Sequence, residues 1–126
     1  MEAETKQVKV IFPNTLNDHD TLFGGTAMQW MDEVAYITAI RLTREKMVTV
    51  SVENIKFLQP IKSGTIAEIT GNVVKIRGIK IEVHVEIWIE DMFKAGQTKA
   101  VEAQFIFAAV NEMNSPMRLD VSKLMN

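Results

Sequence analysis

The sequence contains no cysteine, only two histidines and no long uncharged apolar run. Without cysteine, disulfides, thiol nucleophiles and thiolate metal sites are excluded. The segment from Met1 to Lys9 carries charges throughout and lacks the apolar stretch of a secretion signal. No other window holds the roughly 18 uncharged apolar residues that a membrane span needs. We therefore expect a cytosolic protein that makes no membrane contact.

A strong charge of one sign is also lacking. The formal net charge is -2, which gives no general field for a phosphate backbone, so no nucleic-acid partner is expected. Basic residues concentrate locally at Lys56, Lys62, Lys75, Arg77 and Lys80. This group fits two interpretations, a solvated sheet edge or a site for one phosphorylated ligand.

What remains is an ordinary globular composition, 47% apolar and 24% charged, in 126 residues. This length is typical of one domain, and we expect a single domain over residues 1–126. A β-prone segment from Gln7 to Phe12 precedes a polar loop. From Gly24 to about Leu42, apolar residues with helical spacing cover most of the circumference. This pattern predicts a helix buried on several sides, with Asp20 or Thr21 as its N-cap.

After Lys46 the apolar period changes to two, which predicts strands. A change of phase near Glu53-Asn54 indicates a β-bulge. The later strands are predicted at Thr65–Arg77, Lys80–Glu90 and Gln97–Val110, the first two forming a hairpin through Gly78. Strands this long must curl around something, and the single apolar helix is the candidate. The unpaired edges of such a sheet favour a dimer.

The segment Asn17-Asp-His-Asp-Thr-Leu-Phe-Gly-Gly, followed by Met28-Gln-Trp-Met-Asp32-Glu-Val-Ala, resembles the active-site signature of the hotdog-fold acyl-CoA thioesterases, the acyl-CoA hydrolase family. Val48-Thr-Val with Phe57-Leu-Gln-Pro-Ile, and Glu86-Ile-Trp-Ile, are similar to later strands of that family. The resemblance covers roughly Gln7 to Leu119. One departure is Asp20, where the family commonly has a glycine.

The resemblance implies an α+β hotdog fold, in which a long antiparallel sheet wraps around one central helix. It also implies a dimer, often assembled into a hexamer as a trimer of dimers. The implied activity is hydrolysis of acyl-CoA to a free carboxylic acid and CoA, at sites shared between subunits. Asn17, Gly24 and Gly25 of one subunit would face Asp32 of its partner. Neither a metal nor a separate cofactor is expected, because CoA is part of the substrate.

Thioester hydrolysis needs an activated oxygen and donors for the oxyanion. Gly24 and Gly25 lie at the helix start, where free backbone N–H groups converge. Asp32 would act as general base or as nucleophile, and Asn17 would orient water or the carbonyl. Asp32 follows Gly25 by about two turns, roughly 10 Å, so one subunit cannot easily bring both together, whereas the helix of a two-fold partner would shorten the gap. The simpler alternatives are a turn role for Asn17 and relief of crowding by the glycines.

By resemblance, Arg77, Gly78 and Lys80 at the hairpin tip and Arg118 in the tail bind the CoA moiety. The serines lie in no nucleophile-elbow context, which argues against a Ser-His-Asp hydrolase. Asp18-His19-Asp20 has the composition of a metal site, but consecutive loop residues are weak ligands. The second histidine, His84, belongs to the polar phase of its strand and is expected at the surface or at a dimer seam.

Two other functions on the same fold compete with a thioesterase. A non-catalytic acyl-CoA binding or sensing module would have no need of Asp32. A dehydratase or hydratase acting on acyl thioesters would need a histidine where the loop meets the helix. His19 lies earlier in the loop, before Gly24, which disfavours this alternative.

Overall fold

The computed structural model describes residues 4–120. Within this range the elements follow in the order β1 (Glu4–Val10), a 3-10 turn (Pro13–Thr15), α1 (Gly24–Thr43), β2 (Lys46–Phe57), β3 (Thr65–Arg77), β4 (Lys80–Asp91) and β5 (Thr98–Val110). All neighbouring strands pair antiparallel in one sheet, in the order β1-β3-β4-β5-β2. The sheet packs around α1, which confirms the predicted α+β hotdog architecture.

Two local features of the sheet follow the sequence pattern that predicted them. Arg77 pairs with Lys80 across the β3–β4 turn, where Gly78 has a φ of 62° that glycine adopts without steric cost. The register of β2 against β5 shifts between Glu53 and Lys56, and Asn54 has a φ of 53°. Asparagine tolerates this left-handed conformation better than most residues. Both the hairpin and the bulge are therefore confirmed.

The start of the chain and the helix N-terminus differ from the prediction. β1 begins at Glu4 and ends at Val10, because this whole segment pairs with β3 and the chain then leaves the sheet. Neither Asp20 nor Thr21 caps the helix, whose N-cap is Phe23 without a side-chain hydrogen bond. Thr21 instead forms a β-bridge with Lys62, so the helix can start only after this bridge.

Helix α1 buries one face rather than several. Met31, Val34 and Ala35 are fully buried against the sheet, whereas Tyr36 is 43% exposed. The expectation of burial on several sides is wrong for a single subunit, because the sheet covers one side of the helix only. Among residues 4–120, no helix is long and apolar enough to cross a membrane.

Close contact between α1 and β3 depends on a glycine in the middle of the strand. Gly71 is buried, and a Cβ at this position would lie 2.8 Å from Thr38 Oγ1 and 3.0 Å from Val34 Cγ1. Thr38 has little freedom to move, because its hydroxyl donates a 2.7 Å hydrogen bond to the Val34 carbonyl. Gly71 therefore sets how near the helix lies to the sheet.

We predict that Gly71→Ala lowers the free energy of unfolding by about 1–3 kcal/mol, because the added methyl forces the helix and the strand apart. Urea denaturation measures the change. Thr38→Ala in the same chain removes the nearest atom and should recover part of the loss, as a double-mutant cycle would report. Equal stability of Gly71→Ala and the parent chain would contradict this account of the packing.

Candidate active site

Asn17 organises the loop that leads into α1. Its Oδ1 accepts hydrogen bonds from the backbone N–H groups of His19 and Thr21, at 2.9 and 3.1 Å, and from the Thr21 hydroxyl at 3.1 Å. The turn role that the sequence left open is therefore present. All side-chain hydrogen bonds of Asn17 within residues 4–120 use Oδ1, so Nδ2 is the end that remains for a ligand.

Asp20 stands where the family commonly has a glycine, and its backbone conformation shows how an aspartate fits there. Its φ is 60°, in the left-handed region that glycine adopts freely and that aspartate visits more readily than most residues. The backbone N–H of Asp20 donates to the Asn17 carbonyl at 3.1 Å. The tight turn that a glycine would form is thus kept with a different residue.

Gly24 and Gly25 form the first turn of α1, as predicted. Ala27 N–H donates to the Phe23 carbonyl at 3.1 Å, and the N–H groups that precede it have no acceptor within the helix. These donors, together with the positive end of the helix dipole, favour a negative charge at this position. A Cβ on Gly24 would lie 3.4 Å from Cζ of Phe57, whereas one on Gly25 would meet nothing within 4 Å. Gly24 is therefore the glycine that lies against Phe57, and a Cβ there would make an ordinary van der Waals contact.

Asp32 lies on α1 beside β2, the strand at one edge of the sheet. Its Oδ1 is buried and has no hydrogen-bond partner among residues 4–120. Burial raises the pKa of the Asp32 carboxyl above its ordinary value, and a hydrogen bond from the Thr49 side chain acts in the opposite direction. A sheltered carboxyl that is only partly satisfied is costly to keep for structure alone, so this position is a candidate for chemistry.

Thr49 is the site residue that sequence reasoning missed. It lies between Val48 and Val50 on β2, and both valines are exposed, at 42% and 47%. The alternation of valine and threonine predicts a strand but does not say which phase faces the helix. Only the pairing of β2 with β5 at the sheet edge gives Thr49 its place beside Asp32. The Val48-Thr-Val stretch singled out by resemblance was the one available signal.

A single subunit does not bring the predicted catalytic residues together. Because α1 is continuous from Gly24 to Thr43, Asp32 is held about two turns, roughly 10 Å, from Gly25. Asn17 and the glycines share the loop and the helix start, while Asp32 and Thr49 form a separate pair. The separation that the sequence predicted is therefore present in the subunit.

The residues predicted to bind CoA gather at the β3–β4 turn. Arg77 and Lys80 line one cavity of about 130 Å³. Gly78 and Arg118 line a neighbouring one, and the tail is held there by a 2.9 Å hydrogen bond from Leu119 N–H to the Gly78 carbonyl.

This turn is far from the helix start of its own subunit. Leu22 N–H donates to the Ile61 carbonyl, which puts the start of α1 near the beginning of β3. Gly78 follows the end of that 13-residue strand, roughly 40 Å away by the strand rise. Within one subunit the β3–β4 turn and the helix start are therefore separate regions.

His84 belongs to a polar cluster on the sheet face that points away from α1. His84, Glu86 and Glu102 offer ligand atoms within 4.8 Å of one another. Lys99 Nζ lies between the two carboxylates, 3.1 Å from Glu86 and 2.9 Å from Glu102, and this ion pair lowers the pKa of Glu102. The lysine thus supplies the positive charge that a bound cation would bring.

The loop residues whose composition resembles a metal site lie at the surface. The consecutive Asp18 and His19 side chains are more than 80% exposed.

Comparison with known proteins gives one consistent family. A sequence model of the thioesterase superfamily matches residues 19–94. A protein of Buchnera aphidicola subsp. Acyrthosiphon pisum, which bears the name uncharacterized acyl-CoA thioester hydrolase, is 36% identical over 110 residues, covering 85% of this chain and 82% of its own. A solved apo-hexameric acyl-CoA thioesterase superposes with a TM-score of 0.88 at 26% identity, over 92% of this chain and 74% of that one.

The acyl-CoA hydrolase of Staphylococcus aureus, solved with butyryl coenzyme A and coenzyme A, superposes with a TM-score of 0.87 at 32% identity, over 95% of this chain and 77% of its own. Solved variants of that enzyme carry alanine in place of an asparagine, an aspartate or a threonine. The three positions have the same spacing along that chain as Asn17, Asp32 and Thr49 have here. This chain belongs to the thioesterase superfamily, in the branch of the acyl-CoA thioester hydrolases.

Proposed function

We propose that the protein hydrolyses acyl-CoA thioesters to a free carboxylic acid and CoA, and that Asp32 is the acid–base or nucleophilic group. The observation that carries the proposal is the sheltered Asp32 carboxyl, which has one oxygen without a partner among residues 4–120 and a raised pKa. Thr49 is added to the site as the residue that orients this carboxyl. The matching spacing of the three substituted positions in the S. aureus enzyme supports the same set.

The complete site needs a second copy of the chain. β2 pairs with β5 on one side, and its other edge is open in the subunit. The exposed apolar side chains Val48, Val50 and Ile55 lie along it. Such an edge is protected most simply by antiparallel pairing with the same strand of a second subunit.

Pairing of this kind has a direct consequence for the site. Thr49 and Phe57 lie on either side of the middle of β2, so a two-fold axis near Glu53 sets Phe57 of one subunit against Thr49 of the partner subunit. Phe57 is next to Gly24, and Thr49 is next to Asp32. The helix start of one subunit would therefore face the carboxyl of the other, with Asn17 in the loop beside the helix start.

The chemistry then follows from these groups. The N–H donors at Gly24 and Gly25 hold the thioester oxygen as it becomes negative. Ionised Asp32 takes a proton from water as the water oxygen attacks the carbonyl carbon, and the C–S bond breaks to release the CoA thiolate, which receives that proton from Asp32. On the alternative route Asp32 attacks the carbon itself, and water hydrolyses the resulting anhydride. In a single turnover in ¹⁸O water, label enters Asp32 only if an anhydride forms and water attacks it at the Asp32 carbonyl carbon, so label in Asp32 identifies the second route.

The competing functions have less support. A binding or sensing module does not explain a sheltered carboxyl with an unsatisfied oxygen. A dehydratase needs a histidine beside the helix start, and His19 has an 81% exposed side chain that contacts Asp18.

Assembly and the CoA nucleotide complete the proposal. We infer a dimer that assembles further into a trimer of dimers, and the existence of a hexameric relative supports a six-subunit assembly. Arg77, Gly78, Lys80 and Arg118 would then bind the CoA moiety of a site formed by other subunits. A cytosolic location and independence from a metal or separate cofactor remain predictions.

We predict that Asp32→Asn lowers kcat by about 10²- to 10⁴-fold, because a base or nucleophile is removed with little change in volume. CoA affinity and oligomeric state should be retained. Release of free thiol from a panel of acyl-CoAs measures the rate, and equilibrium titration with CoA measures binding. Glu33→Gln, which changes the exposed carboxylate next in sequence, is the matched control and should keep full activity.

The same variant has an expected effect on stability. Because burial raises the pKa of Asp32 above the ordinary 3.8, the protonated form favours folding below that pH, and this contribution is lost as the pH rises through the raised pKa. Asp32→Asn should therefore be more stable than the parent chain at neutral pH and should lose this advantage below about pH 3.8.

The activity assay has its own contradicting outcome. If Asp32→Asn keeps full turnover, Asp32 has no part in the chemistry.

We predict that mixing two inactive chains, Asn17→Ala and Asp32→Asn, restores activity. If each site takes Asn17 from one subunit and Asp32 from the other, half of the dimers are mixed and each contains one intact site. Recovery should approach about a quarter of the parent activity after random exchange. Subunit exchange is verified by mass spectrometry, and complete inactivity of verified mixed dimers would show that each site lies within one chain.

A further inference from the structure

A largely apolar cavity of about 340 Å³, with Thr21 and Gln59 as its polar side chains, opens beside the helix start. Leu22, Ala27, Ile61 and Val101 line it and are at most 7% exposed, so they form its closed floor. Phe57 and Leu58 stand at its rim and are about half exposed, at 59% and 46%. Gly24, whose backbone belongs to the proposed oxyanion site, is also part of its wall. The cavity therefore begins at the position where the thioester carbonyl would bind.

We propose that this cavity is the acyl-chain site, and that Val101 limits the length of the chain it accepts. The inference rests on the proposed hydrolysis of acyl-CoA and names the part of the substrate that is selected. It gives the enzyme a preference for short to medium acyl chains, since about 340 Å³ lies near the lower end of the volumes of ligand pockets.

Two parts of the substrate meet at the thioester carbon, the acyl chain and the pantetheine arm of CoA. The chemistry of the cavity decides which of the two binds inside it. The pantetheine arm carries amides, which need hydrogen-bond partners when they leave water. It must also continue outward to the bulky nucleotide, whereas this cavity ends on buried side chains. An alkyl chain has neither requirement and gains free energy by leaving water. The apolar floor therefore fits the acyl arm.

Val101 is the floor residue best placed to set the depth. It lies on the inward face of β5, is 1% exposed, and pairs with Phe57 of β2. Ala27, 2% exposed, forms the opposing wall on α1. Both side chains are small, so a change of one or two methyl groups at Val101 alters the depth directly and leaves Asp32, Thr49 and the glycines untouched.

The experiment compares Val101→Ala and Val101→Leu with the parent enzyme, using straight-chain acyl-CoAs from acetyl to palmitoyl. In the parent, kcat/KM should rise about fourfold per methylene until the cavity is full and then stop rising. Val101→Ala should move this limit to longer chains, changing the ratio of kcat/KM for the next longer substrate over acetyl-CoA by about fourfold. Val101→Leu should move it in the opposite direction by a similar factor.

The control is Val85→Ala, which removes the same methyl groups from a fully buried valine of β4 that does not line the cavity. This variant should keep the parent chain-length profile even if its stability falls. Should Val101→Leu fail to fold, Val101→Ala alone carries the test.

Three results would overturn the inference. If both Val101 variants change kcat/KM for every substrate by one common factor, the cavity holds the pantetheine arm. If neither variant changes the profile, the acyl chain binds elsewhere. If the parent enzyme hydrolyses no acyl-CoA of any length, the proposed function itself fails, and this outcome is distinct because it appears before any variant is compared.

Discussion

A carboxyl group held against an open sheet edge is the constraint on which the site depends. Asp32 is fixed on a helix whose distance from the sheet is set by the contact of Gly71 with Thr38 and Val34. Thr49 satisfies only part of the carboxyl, and Oδ1 has no partner among residues 4–120. A fold that only needed stability would have an apolar residue here. In the proposed site, a second subunit and a substrate would give this carboxyl the partners that one subunit lacks.

Short-range patterns allowed much of the fold to be predicted. The period-two alternation and Gly78 define the β3–β4 hairpin, and the change of phase locates the bulge at Asn54, because each depends on residues adjacent in the chain. The N-cap was predicted wrongly because Thr21 is held by Lys62, some forty positions away along the sequence. Burial of the helix was overestimated because apolar spacing does not reveal that the sheet of one subunit covers one side only.

The candidate site shows the same division between local and long-range information. Asn17, Gly24, Gly25 and Asp32 stand in one recognisable stretch, so resemblance could single them out together. Thr49 comes from an edge strand, and its relation to Asp32 depends on the packing of that strand against the helix rather than on spacing. Helix geometry explains why one chain alone does not join these groups, since two turns of a rigid helix hold Asp32 away from Gly25.

The proposed site would join assembly to catalysis, because it takes the carboxyl from one subunit and the helix start from the other. The most direct measurement is a crystal structure of the assembly with a non-hydrolysable acyl-CoA analogue. The account predicts that the carbonyl oxygen of the analogue accepts from the backbone N–H groups at Gly24 and Gly25 of one subunit, and that Asp32 from the other subunit faces the carbonyl carbon. An Asp32 turned to bulk solvent, or subunits joined through an edge other than β2, would contradict it.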